Sequence, residues 1–227
     1  MRKTIAACLL TALVFCAAGA YALAADPGAD IHMPKEEPVM PESGLYCGQI
    51  EAVTRDEAGN PSQLLLTSQA GGDYAMNLSA ATIWVDGGRR ERADSRDLTL
   101  GETVYVFHSL AATRSLPPQS AAYVVVRNVP QDAGCPLYHT IEAVDPLADG
   151  GVRLTTDRGG LLLTVEEGTE LSAYQEGRTV SAETLQVGQR VLAWYGAVML
   201  SYPGQARVDA LMALDGTAPA AQSADQG

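Results

Sequence analysis

IEAVTRDEAGNPSQLLLTS, Ile50 to Ser68, reads as strand, turn and strand. An apolar stretch gives way to a polar run carrying Asp56, Gly59, Asn60 and Pro61, and then to an apolar run closed by Thr67 and Ser68. The tetrapeptide returns at Ile141 to Val144, where the turn is DPLADGG and the following strand is VRLTT. Two copies of one strand-turn-strand unit therefore decide the fold class, because a period of two with Val, Ile, Leu and Thr between Gly/Asp/Pro turns is a strand signal.

Farther along, LTLGETVYVFH (Leu98 to His108) matches LQVGQRVLAWY (Leu185 to Tyr195), with Leu, Gly and Val at the same spacing. The copies continue through two proline-bearing segments into AAYVVV and RVDALMAL, each a closing strand. The offset between copies falls from 91 residues at IEAV to 86 at the proline segments, as turn trimming after a duplication would leave it. Each unit is close to the lower size limit for a domain with its own core. Segments such as SRDLTLGE and SAETLQVGQ supply one helical turn at most, capped by Ser95 or Ser181. The expected architecture is all-β: two tandem small β-barrels, residues 44–130 and 137–214, since closing a small sheet hides its edges. They are expected to resemble the five-stranded oligonucleotide/oligosaccharide-binding fold.

The flanks read differently. Arg2 and Lys3, an apolar run and Ala22-Leu23-Ala24 have the order of a secretory signal peptide over residues 1–24. Cys16 also permits a lipoprotein reading, although Phe15 stands where a small residue is preferred. Residues 25–43 hold Pro27, Pro34, Pro38 and Pro41 without periodicity and read as a disordered spacer, and residues 215–227 as a disordered tail. The expected location is secreted or cell-surface, with no membrane contact after the leader is removed and a monomeric chain.

Losing Arg2 and Lys3 takes the formal charge from −12 to −14. Without a Lys/Arg cluster, such a chain has no footprint for a phosphate backbone, and nucleic acid is excluded as a partner. Cys47 and Cys135 survive processing. In an oxidising compartment the pair suggests one disulfide closing the first unit, and two unpaired thiols are the alternative. Neither has a His/Cys neighbourhood suited to a metal, and no cofactor is expected.

No hydrolase, metalloprotease or nucleotide-binding fingerprint occurs, and no enzyme is expected. His32 lies in the spacer, and His108 and His139 fall where the other copy has Tyr195 or Gly48, so both read as structural. Ser115 and Ser201 recur with no repeated His/Asp beside them to activate a hydroxyl. Trp84 and Trp194 lie in apolar strand-like runs and read as core rather than as a sugar-stacking surface.

The proline segments are ATRSLPPQS (Ala112 to Ser120) and VMLSYPGQA (Val198 to Ala206), which share a Ser-x-Pro-x-Gln frame at corresponding positions. Thr113-Arg114-Ser115-Leu116-Pro117-Pro118-Gln119 resembles the reactive loop of trypsin-directed Bowman-Birk-type serine protease inhibitors. Met199-Leu200-Ser201-Tyr202-Pro203-Gly204-Gln205 is similar to the chymotrypsin- or elastase-directed form. The likeness covers about nine residues per unit and none of the scaffold. It implies a double-headed inhibitor: Arg114 and Leu200 entering the protease pockets, Ser115 and Ser201 following the scissile bond, and Leu116 and Tyr202 packing beyond it. It further implies that Pro117 and Pro203 hold the turns, that the Leu116–Pro117 bond is cis, that Gln119 and Gln205 brace the far ends, and that Thr113 locks its loop. The family's loop is clamped by a disulfide, whereas the flanks here are Ala112 and Ser120, or Val198 and Ala206. Rigidity would come from the flanking strands. The expected partners are then serine proteases. Two other readings stand beside this one: plain strand connections, and an extracellular carbohydrate- or protein-binding module whose rim loops shape a site.

Overall fold

The computed structural model describes residues 43–131, 133–175 and 178–214. The leader with Cys16, nearly all of the spacer and the 215–227 tail lie outside them. Among the described residues no helix is long and apolar enough to cross a membrane.

The first unit runs β1 (Gly44–Arg55), β2 (Pro61–Ser68), β3 (Gly72–Asn77), β4 (Ile83–Asp86), β5 (Glu91–Arg92), β6 (Thr103–His108) and β7 (Gln119–Arg127). Alternation sets the faces: Tyr46, Gly48 and Ile50 of β1 point inward, and Leu45, Cys47 and Gln49 point outward. Strands pair in the order β3-β2-β1-β6-β7, and a parallel pairing of β3 with β7 closes a five-stranded barrel. The short strands β4 and β5 extend the sheet from β7. Inside lie Ile50, Leu64, Leu66, Met76, Val104, Val106 and Val125, all essentially dry. Burying each such side chain is worth about 1.5–3 kcal/mol. Gly48 is needed in β1 because the backbone and a ring approach it closely: a Cβ there would sit 2.7 Å from the Tyr46 ring and 2.8 Å from the Thr67 carbonyl.

The second unit runs β8 (Leu137–Thr140), β9 (Ala143–Pro146), β10 (Val152–Thr156), β11 (Leu161–Val165), β12 (Glu170–Ala173), β13 (Arg190–Tyr195) and β14 (Gly204–Ala213). Its pairings repeat those of the first. β13 joins β8 and β14, β10 joins β9 and β11, and β11 and β12 both lie parallel to β14, as β3 and β4 lie parallel to β7. One feature corrects the expectation of two closed barrels. The counterpart of β1 is split at Ile141–Glu142 into β8 and β9, which become the two ends of an open, curled sheet. At the break the backbone turns to two partners: Ile141 donates to the Gln189 carbonyl at 2.9 Å, and Glu142 to that of Thr155 at 2.8 Å. The helical turns expected before β6 and β13 reduce to one short 3-10 turn, Ala182–Thr184, in the second unit.

All described residues belong to one compact unit, and a third core joins the two sheets. Val124 and Val126 of β7 face Leu192, Trp194, Ala210, Met212 and Leu214 of the second sheet, while Ala122 and Val125 face the first barrel's interior. This explains the unbroken VVV run, because a strand buried on both faces has no polar side to show. Trp194 sits at 6% exposure with its indole N–H donating to the Gly87 carbonyl at 3.2 Å. Trp84 is equally buried, so neither ring offers a stacking surface.

The Cys47–Cys135 disulfide is not made, and both thiols are free. Cys47 is on the outer face of β1, whereas Cys135 is turned to the Pro136 carbonyl at 3.2 Å. Burial, with the charge of nearby Cys47 as a lesser cause, pushes the Cys135 thiol up to about 12, and a thiol held protonated is a poor nucleophile for disulfide exchange.

Candidate functional site

Each proline segment joins the last two antiparallel strands of its sheet, β6 to β7 or β13 to β14, and so stands at the same end of its unit. The first loop spans residues 109–118 and the second 196–203. Both are closed by the same backbone bond across six residues: Thr113 N–H to the Gln119 carbonyl at 2.9 Å, and Met199 N–H to that of Gln205 at 2.8 Å. Within each turn the serine hydroxyl donates to a proline carbonyl, Ser115 to Pro117 and Ser201 to Pro203, both at 2.8 Å. The Leu116–Pro117 and Tyr202–Pro203 bonds are cis. Two loops that share a sequence frame therefore share a backbone design.

The first loop is held more firmly. Thr113 Oγ1 accepts the Gln119 N–H at 3.0 Å and lies 2.7 Å from the Ser115 hydroxyl. Ser120, buried at the start of β7, donates to the carbonyls of Ser109 and Ala111 at 2.6 and 3.1 Å. The Pro118 carbonyl accepts from Ala75 of β3 at 2.9 Å, and the Gln119 side chain reaches Gln63 at 3.5 Å. His108 is packed where the strand enters the loop and bonds the Ser109 carbonyl at 2.9 Å through Nδ1. Burial lowers its pKa, partly offset by that bond. In the second loop Met199 and Ala206 replace Thr113 and Ser120, so those two hydroxyl braces are lost. Tyr195, at its entry, is fixed instead by His139 Nε2 at 3.0 Å, and His139 Nδ1 meets Asp157 at 3.0 Å. Burial above all, and then the Asp157 charge, raises the Tyr195 phenol.

What the loops present is apolar. Leu116 is 97% exposed, Leu200 106% and Tyr202 72%, while Met199 and Val198 are also open to solvent. Arg114 is exposed, and among the described residues it makes no hydrogen bond or ion pair. The structure thus brings Thr113 to Gln119 together in one loop and Met199 to Gln205 in the other. Sequence reasoning missed Ser120, whose only signal is a hydroxyl at an inward position of an otherwise apolar strand.

Finding no disulfide overturns the reading as a double-headed serine protease inhibitor. That reading draws on a family whose loop is covalently clamped. The one covalent brace this sequence offered, Cys47–Cys135, is absent, and the described loops have none of their own. A tandem all-β scaffold with no disulfide among the described residues leaves a nicked loop held only by hydrogen bonds that solvent can replace. No metal-binding group of His, Cys, Asp and Glu occurs among the described residues. No protein-family model and no curated protein matches the chain.

Proposed function

We propose that the chain is an exported binding module that recognises protein partners through its two proline loops and does not inhibit proteases. The observation that carries this reading is the near-complete exposure of Leu116 and Leu200 on loops whose backbones are already hydrogen-bonded into one conformation. Large apolar side chains exposed together on one loop, as Val198, Met199, Leu200 and Tyr202 are, mark interaction sites. A loop ordered before binding avoids the entropic cost of ordering it afterwards. The partner chemistry that fits is a concave apolar cleft able to take a leucine or tyrosine side chain, with Arg114 adding a cation beside the first. The order β3-β2-β1-β6-β7, closed by the parallel β3–β7 pair, supports likening the first barrel to the oligonucleotide/oligosaccharide-binding fold, whose rim loops commonly carry recognition. The leader-like residues 1–24 support export.

Affinity capture from the fluid around producing cells tests it, comparing the mature chain with Leu116→Ser/Leu200→Ser. The reading expects a protein that, once purified, binds the wild type with defined stoichiometry and the double variant at least about tenfold more weakly. Equal binding by both, or no protein ligand at all, would count against it.

A further inference from the structure

The first loop leaves one end of its barrel, where Gly44 pairs with His108. At the other end, the β1–β2 and β3–β4 turns and β5 meet the second sheet around a cleft of about 970 Å3. Its size falls at the upper end of the range for small-molecule sites, about 300–1,000 Å3.

The lining is polar and balanced in charge. Among the described lining residues Asp56 and Asp94 are matched in number by Arg92 and Arg190, so these side chains give an anion no net attraction, and the acidic chain repels one. Arg92 lies over the Tyr174 ring at 5.4 Å, and the Tyr174 hydroxyl is fixed by the Trp84 backbone N–H at 3.3 Å. Among the described residues the Arg92 guanidinium has no hydrogen-bond or ion-pair partner, so its donors are oriented and unused. Asp94 spends Oδ1 on the Arg96 N–H at 2.8 Å and keeps Oδ2 as an acceptor. The Ser95 hydroxyl beside it can donate or accept. Exposed Ala80 and Ala81 line the same cleft and offer small apolar surface.

Oriented donors next to acceptors, with no net charge and an apolar strip alongside, match a run of hydroxyls on an apolar ring. Each sugar hydroxyl both donates and accepts and so serves guanidinium and carboxylate alike, whereas a phosphate or sulfate only accepts and leaves Asp94 Oδ2 without a donor. We propose that this cleft binds a short neutral oligosaccharide. The described lining holds no residue of either proline loop, and the proposal does not depend on their role.

The test is an amide NMR titration of the mature chain with maltotriose, cellotriose and triacetylchitotriose, and with a heparin-derived tetrasaccharide as the anionic probe. At least one neutral trisaccharide should shift Asn60, Ala81 and Ser95 saturably and leave Arg114 and Leu200 unmoved. Ala81→Trp fills the cleft from an exposed position and should weaken binding about tenfold, equal to about 1.4 kcal/mol. Arg92→Gln, checked for an unchanged second-sheet spectrum, should weaken it as well. No saturable shift with any neutral probe, shifts confined to the proline loops, or tighter binding of the heparin fragment would overturn the proposal.

Discussion

Gln119 donates its backbone N–H to Thr113 Oγ1 at 3.0 Å, while its carbonyl accepts the Thr113 N–H at 2.9 Å. One residue pair thus closes the first loop twice, and the second loop, with Met199 in the threonine's place, keeps only the backbone half. Thr113→Val should speed hydrogen exchange at the Gln119 amide about tenfold and change global stability by less than about 1 kcal/mol. Unchanged exchange would show that the hydroxyl does not brace the loop.

Ser120 is buried and serves two carbonyls, those of Ser109 and Ala111. Ser120→Ala should cost about 0.5–1.5 kcal/mol in urea unfolding, the usual net worth of a hydrogen bond whose partner carbonyls water can still reach. Its counterpart in the second loop, Ala206, makes no such bonds, and Ala206→Gly should not alter loop geometry.

The two sheets share the core around Trp194. Trp194→Ala should destabilise the chain by about 3–5 kcal/mol, and Trp194→Phe, which loses the bond to Gly87, by about 1 kcal/mol beyond its packing change. Wild-type unfolding followed by near-ultraviolet dichroism and by tryptophan fluorescence should give coincident transitions, because the joint core couples the sheets.

His108 titrates below its ordinary value of 6.5 because burial opposes its charged form. Its contribution to stability is therefore complete above pH 6.5, where both folded and unfolded forms are neutral. It is lost as pH falls from there through the lower folded pKa, since the unfolded state takes up the proton first. His108→Gln should flatten the fall in unfolding free energy as the pH drops below about 6.5. An unchanged slope would contradict this account of the side chain.

Both cysteines among the described residues are free, with Cys47 exposed and Cys135 partly covered. On a chain that begins at residue 25, iodoacetamide without reductant should modify Cys47 first in the folded state, and denaturation should bring the total to two adducts. A mass two hydrogens lower with no adducts would restore the disulfide.

Much of this fold is legible in the sequence because strand pairing follows local signals. IEAV with its turn, Leu-x-x-Gly-x-x-Val and the VVV run all fall on strands or the turns between them. The split of the second unit's first strand was not legible, since Ile141–Glu142 and Ile50–Glu51 are identical pairs and the break depends on which neighbours their backbones find. Nor was the oligosaccharide cleft: Asn60, Arg92 and Tyr174 meet only through packing of two sheets, and no sequence spacing encodes that. The loops lay between. Their shared frame announced a shared shape, while their use was not legible from it, because the family they resemble clamps its loop with a disulfide and no disulfide occurs among the described residues.

The central claim, that the proline loops are where proteins dock, is tested most directly by placing a photoreactive benzoylphenylalanine at position 116, at 200, or at the exposed turn residue Ala58, and irradiating each chain in the conditioned medium and in the lysate of producing cells. The account predicts a discrete protein adduct from 116 or 200 and none from 58. Adducts of equal yield at all three positions, or at none, would contradict it.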